Sequence, residues 1–371
     1  MHTQQIKDIK LNFILTTART GSTLLSSMLN MHTNVISTIE EPFAYTLFPK
    51  YKRVKTWTSK TIQEYCYDFY LFSQAKLEMQ FGTKKDLQTI LEKHKANLTA
   101  EIAIKLTYLC FFPDKDKSNI TAIVDKELLF HSCLEDVASF YPTSKFIILH
   151  RDPRDNAYAK SRMFENKKQY KSLGYFKIAL AWKYIYGLLL KLKDKIGAER
   201  FLEVKYEDLV TNPEPELKKI CVFVGIEYND RMLTYDEQMK NKISQNMNEN
   251  STAVNNLALL HVGLTQKPKT NKIGYWKQNL KPDEANMVWT VCGNLAERIG
   301  YKKDENFVKQ SITFKDRLNY IKFLFNRVKL TFYYRAPFFI KKLVKKVKYG
   351  KNFKTNRWTS KEFYERTYYM D

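Results

Sequence analysis

The chain alternates short apolar, β-branched runs with longer stretches of helical period, and this alternation constrains the fold more than any other feature. Leu11–Thr16, Thr121–Asp125, Lys145–His150 and Arg200–Val204 have the length and composition of buried strands, with Ala103–Leu106 a weaker fifth. Helical patterns lie between them, over Thr23–Met31, Thr61–Leu77, Lys84–Asn97, His131–Phe140, Pro153–Met163 and Tyr175–Ile196. Strands that return through helices pair in parallel by right-handed crossovers, and helices then cover both sheet faces. The expected fold is therefore a three-layer α/β/α domain with a mostly parallel central sheet over residues 8–302. Later helices at Pro213–Val224 and Pro282–Ile299 each open on proline.

From about residue 309 the character changes to interleaved aromatics and lysines, which marks a basic helical C-terminal extension over 309–371. The formal net charge is +23, and residues 301–371 carry +13 of it. The body keeps a milder positive excess, suited to an anionic ligand. Five scattered cysteines without C-x-x-C spacing predict reduced, buried thiols and a cytoplasmic protein. The strand-like run from Leu11 leaves no room for a signal peptide, and no stretch has the length of a membrane span.

In open parallel sheets, ligands bind where strand carboxyl ends run into helices. Leu11–Thr16 runs into Arg19-Thr20-Gly21-Ser22-Thr23-Leu24-Leu25 and an apolar helix. Free amides and the positive dipole end at a helix start favour an anion. Gly21 lets the backbone curl closely, Ser22 and Thr23 add hydroxyls, and Arg19 adds fixed charge. Taken alone, the loop is equally a Gly-Ser-Thr helix cap. It lacks the lysine of a G-x-x-x-x-G-K-[ST] loop, which argues against phosphoryl transfer from a nucleotide–Mg²⁺ complex.

Arg19 through Leu25 resembles the 5′-phosphosulfate loop of sulfotransferases that use 3′-phosphoadenosine 5′-phosphosulfate (PAPS), of the carbohydrate/tyrosyl-like, bacterial type. The resemblance covers residues 8–302 and implies a P-loop-like fold. It also implies that Arg19, Thr20, Gly21, Ser22, Thr23 and Leu24 hold the 5′ end of PAPS. Phe146–Asp155, a strand running into a helix capped by Asp152 and Pro153, resembles the family's 3′-phosphate segment and assigns Arg151 to that phosphate. The family's serine eight positions on is Ala159 here. Ser161 is the substitute, although it lies about 200° around an ideal helix. Lys269–Lys277 resembles the late segment that closes over the nucleotide, with Lys269 and Lys272 reinforcing the phosphates and Trp276 near the adenine. Tyr206-Glu207-Asp208-Leu209 is read as structural.

Sulfuryl transfer to an alcohol calls for a base at the acceptor hydroxyl. Val35–Phe43 follows the first helix by a short turn, consistent with a second strand end near the same crevice. Many members of the family carry a glutamate there, which makes Glu41 the candidate, held extended by Pro42, with Glu40 second. Asp125-Lys126-Glu127, after a strand, offers Lys126 to the transferring group or acceptor. PAPS carries its own activated sulfur, so no metal is expected, and the product is 3′-phosphoadenosine 5′-phosphate (PAP). The acceptor is a hydroxyl on a saccharide, glycolipid, protein tyrosine or small alcohol, since variable loops build that pocket. The extension either packs on the body or lies on an anionic membrane surface at the inner face, and nucleic acid ranks below both. The rivals are a P-loop-type small-molecule kinase and a non-catalytic basic binding protein.

Overall fold

The computed structural model describes residues 1–39, 43–73, 84–127, 133–165, 174–237, 240 and 266–349. Five strands, β1 (Lys10–Leu15), β2 (Val35–Ile39), β3 (Ala122–Glu127), β4 (Phe146–His150) and β5 (Phe201–Lys205), form one parallel sheet in the order β2-β3-β1-β4-β5. The helices are α1 (Thr3–Asp8), α2 (Ser22–Asn30), α3 (Phe43–Tyr51), α4 (Ser59–Ser73), α5 (Lys84–Lys93), α6 (Ala100–Leu109), α7 (Leu134–Phe140) and α8 (Pro153–Glu165). They continue with α9 (Tyr175–Ile196), α10 (Tyr206–Thr211), α11 (Pro213–Val224), α12 (Trp276–Asn279), α13 (Pro282–Arg298), α14 (Phe314–Arg335) and α15 (Phe338–Tyr349).

Strand side chains alternate between two cores, as period-2 geometry requires. Leu11, Phe13, Leu15, Ile36, Ile123, Phe146 and Ile148 pack with α1, α3 to α7, α9 and α13 on one face. Ile14, Val35, Ala122, Val124, Ile147, Leu149 and Val204 pack with α2, α10 and α11 on the other. This is the P-loop-like three-layer α/β/α arrangement.

Ala103–Leu106 is not a strand; it lies inside α6. Thr99 caps that helix by accepting from the Ile102 amide at 3.2 Å, and every residue of it from Ile102 to Leu109 is buried. A helix buried all round loses its amphipathic period and looks like a strand run. The fifth strand is β2, directly after α2. Asp125-Lys126-Glu127 also lies within β3 rather than after it. Lys84–Asn97 breaks at His94 into α5 and a short 3₁₀ turn.

Register sets the site. Leu15 pairs with Glu127 on one side and Ile148 on the other. The carboxyl ends of β1 and β4 are thus adjacent, and the chain leaving each enters a common crevice.

Candidate active site

After β1 the chain turns through Thr16–Gly21 into α2. Arg19 (φ 64°) and Gly21 (φ 94°) both take the left-handed conformation, curling the backbone so that the Ser22, Thr23 and Leu24 amides stand free of intrahelical partners. The curl is held from several sides. Thr20 Oγ1 donates to the Thr17 carbonyl (2.7 Å), and Asn156 Nδ2 of α8 donates to the Ala18 carbonyl (2.9 Å). The buried Lys160 donates to Thr17 Oγ1 (2.6 Å), and Lys126 at the end of β3 donates to Thr23 Oγ1 (3.0 Å). The ring of Tyr206 closes on Gly21, where an added Cβ would sit 2.3 Å from Tyr206 Cδ2.

After β4, Asp152 caps α8 by accepting from the Arg154 amide (2.8 Å). Arg154 folds back onto Asp152 with Nε and Nη2, and its guanidinium lies 4.1 Å from the Trp276 ring and 4.3 Å from the Trp289 ring. Trp276 is therefore engaged with this arginine. Among the described residues Arg151 makes no such carboxylate pair. Its Nη1 donates to the Arg19 carbonyl and its Nη2 to the Lys272 carbonyl, both at 3.1 Å, and the group lies 4.5 Å over the Tyr206 ring. Among the described residues its Nε, although buried, has no hydrogen-bond partner.

The segment 269–277 is pinned here by Asp155, whose two oxygens accept from the Gly274 and Trp276 amides, each at 2.8 Å. Burial raises the Asp155 carboxyl above the usual range, against the pull of Arg151. Burial likewise raises Glu207, which accepts from the Asp152 amide (2.9 Å) and the Tyr301 hydroxyl (3.0 Å). Tyr206 thus bridges the two junctions and Glu207 braces the second, a structural role.

Arg19, Arg151, Lys269 and Lys272 come together. Burial pushes the Lys272 ammonium down, and the positive charges of Arg151, Arg19 and Lys269 push it further. Cations crowded until one is destabilised, beside an unpartnered guanidinium nitrogen, are the electrostatic complement of a multiply charged anion. The hydrogen bonds of Ser161 run elsewhere, from its Oγ to the Tyr158 carbonyl (2.8 Å) and from Tyr175 OH to its Oγ (3.2 Å). Glu40 and Glu41 lie outside the described residues.

Asn156 and Lys160 were not singled out in the sequence. Their signal was available: Asn156 and Lys160 are spaced by four and share one face of α8. That face turns to the first loop.

Fold and junctions together define a P-loop-like α/β protein with two adjoining cationic seats at the strand carboxyl ends. Residues 13–230 match the sulfotransferase family model, more than half of the chain, and the protein belongs to that family. It is 24% identical over 231 residues to protein-tyrosine sulfotransferase 2 of Gallus gallus, covering 62% of this chain and 55% of the relative. It is 23% identical over 128 residues to carbohydrate sulfotransferase 1 of Danio rerio, covering 34% of this chain and 28% of that one. The chain spans about half the length, or less, of these curated relatives. The sulfotransferase domain of the Synechococcus PCC 7002 olefin synthase aligns with 80% of this chain and 97% of its own, at 21% identity and a TM-score of 0.49.

Proposed function

We propose that the protein transfers the sulfuryl group of PAPS to a hydroxyl acceptor. The observation that carries this reading is the meeting of Arg19, Arg151 and Lys272 at the ends of β1 and β4, with Arg151 bonded to the backbone of both flanking segments. In this scheme the Ser22–Leu24 amides and the Arg19 charge hold the 5′-phosphosulfate, and Arg151 with Lys269 and Lys272 holds the 3′-phosphate. PAPS supplies the activated sulfur. The acceptor oxygen bonds to sulfur as its proton passes to Glu41, and the S–O bond to the 5′-phosphate breaks, its electron pair leaving on PAP. Lys126, bonded to Thr23, stands beside the same loop and adds positive charge where the sulfuryl oxygens would lie. Its relatives are named for tyrosine and carbohydrate acceptors, both of which bear hydroxyls.

The reading also makes the enzyme cytoplasmic, with its basic extension against an anionic membrane surface. The five cysteines are buried and outside any disulfide, which suits a reducing compartment. A thermal-shift comparison of PAP, ATP and 5′-AMP tests the nucleotide assignment. Selective stabilisation by PAP is expected, whereas an equal response to ATP would favour a kinase.

A further inference from the structure

The last helix of the extension is built the wrong way round for a helix that packs on its own protein. In α15 it is the lysine face that meets the body. Lys342 Nζ donates to the fully buried Asp68 (2.8 Å), which also takes Lys50 (2.5 Å) and Tyr51 (2.9 Å). Lys341 lies 4.9 Å over Tyr45, Lys342 4.9 Å over Tyr67, and Lys345 5.7 Å over Phe72. The apolar face looks out, with Phe339 70%, Leu343 60% and Val347 74% exposed.

The preceding helix packs through aromatic and apolar residues yet also leaves an apolar stripe outward. Phe323, Arg327 and Tyr334 of α14 turn inward, onto Tyr184 of α9 and Tyr45 of α3. Phe314, Leu318, Ile321, Phe325, Val328 and Phe332 recur at alternating spacings of four and three, so they form one stripe, and all six are exposed. Lys315, Lys322 and Lys329 follow three of these positions by one residue and make an exposed basic row about 100° around the helix. Soluble proteins rarely leave an apolar face of this length uncovered. Flanking lysines specify the cover: an anionic bilayer surface takes the apolar stripe into its headgroup region and pairs with the row beside it. No described helix is long and apolar enough to cross a membrane, so the helices lie on it.

Position in the fold adds the second half. The middle of α14 packs on α9 through Tyr184, while its end and α15 dock on α3, α4 and α7, through Tyr45–Tyr334, Phe72–Phe338 and the Arg335–Asp136 pair (3.8 Å). Of these, α3 follows the carboxyl end of β2 and α7 that of β3, on the side of the sheet away from β4 and the Arg151 seat. A bilayer held by α15 and the end of α14 therefore borders the β2–β3 half of the crevice, which the nucleotide leaves to the acceptor.

We infer that α14 and α15 seat the protein on an anionic bilayer and that its acceptor is a hydroxyl on a membrane-resident amphiphile. The acceptor half rests on the sulfuryl-transfer reading; the bilayer half does not.

The test uses the full chain and its Phe325→Asp/Phe332→Asp variant, which alters two outward side chains. Sedimentation is measured with phosphatidylcholine vesicles, with and without phosphatidylglycerol. Wild type is expected to sediment only with the anionic vesicles, and the variant to bind them roughly a hundredfold more weakly. Both should keep the same stabilisation by PAP, which shows that the variant folds. Labelled PAPS is then added to membrane and soluble fractions of the host cell. Label should enter the lipid extract of the membranes, and enter it more slowly with the variant. A chain that ignores anionic vesicles, or whose mass shows a dimer that the variant dissociates, overturns the bilayer seat. Label confined to the soluble fraction overturns the acceptor class. Vesicle binding without any PAP response would instead strike the sulfotransferase reading and leave the membrane seat standing.

Discussion

Gly21→Ala tests whether the two anion seats are mechanically one. At φ 94° any β-carbon is strained, by about 1–2 kcal/mol. The larger effect is contact: the new methyl would stand 2.3 Å from Cδ2 and 2.7 Å from Cε2 of Tyr206. That ring cannot yield freely, because Arg151 lies over it at 4.5 Å while bonded to Arg19 and Lys272. Overpacking of this kind costs a further ~1–3 kcal/mol, so the substitution should destabilise the protein by about 2–5 kcal/mol in all. It should also displace Arg151 and weaken PAP binding through the 3′-phosphate. The assay is a double-substitution cycle with Tyr206→Ala, read by thermal melting and by PAP titration. In the Tyr206→Ala background only the backbone strain remains, so the coupling between the two sites should be about 1–3 kcal/mol. Additive effects, or full PAP affinity in Gly21→Ala, would refute the idea that Tyr206 transmits the clash to Arg151.

Glu41→Gln should lower the transfer rate by about 10²–10⁴-fold with PAP affinity unchanged; an unaltered rate in labelled-PAPS assays removes Glu41 as the base. Arg154→Lys keeps the charge but loses the fork on Asp152 and the fit between Trp276 and Trp289, and should cost about 2–3 kcal/mol of stability in denaturant unfolding. A neutral effect would mean that the sandwich contributes nothing beyond charge. Burial lowers the Lys341 ammonium from 10.5 to about 8 in the docked helix. The undocked helix therefore binds more protons between pH 8 and its ordinary value, and docking of α15 should tighten as pH rises through that window. Hydrogen exchange over α15 should show this trend in wild type and lose it in Lys341→Met; the same slope in both would assign the titration elsewhere.

Much of the fold was legible because β1, β3, β4 and β5 are short apolar runs bounded by turns, and α9 and α11 carry clean signals at both ends. What the sequence concealed has physical causes. Continuous burial erased the period of α6, and β2 showed only as a strand end, because it holds Ser37 and Thr38 in its core, where hydrogen bonds rather than hydrophobicity satisfy them. At the site, strand-to-helix context drew attention to Arg19, Gly21 and Arg151, and the family resemblance was needed to assign them. Tyr206 was not, because its contacts with Gly21 and Arg151 depend on β5 lying next to β4. Asn156 and Lys160 are polar residues of an ordinary-looking helix until the β1 loop is placed against them. The extension misleads in the opposite direction, since its lysine and apolar faces are plain in the sequence but only the fold reveals which one turns inward.

Calorimetric titration of wild type and Arg151→Ala with PAP and with 5′-AMP bears most directly on the shared nucleotide seat. The two ligands differ only in the 3′-phosphate. Wild type should prefer PAP, and Arg151→Ala should erase about 1.5–3 kcal/mol of that preference, roughly ten- to a hundredfold in Kd, while 5′-AMP binding changes little. Equal losses for both ligands, or no preference for PAP in wild type, would contradict Arg151 as the 3′-phosphate residue and with it the assignment of PAPS.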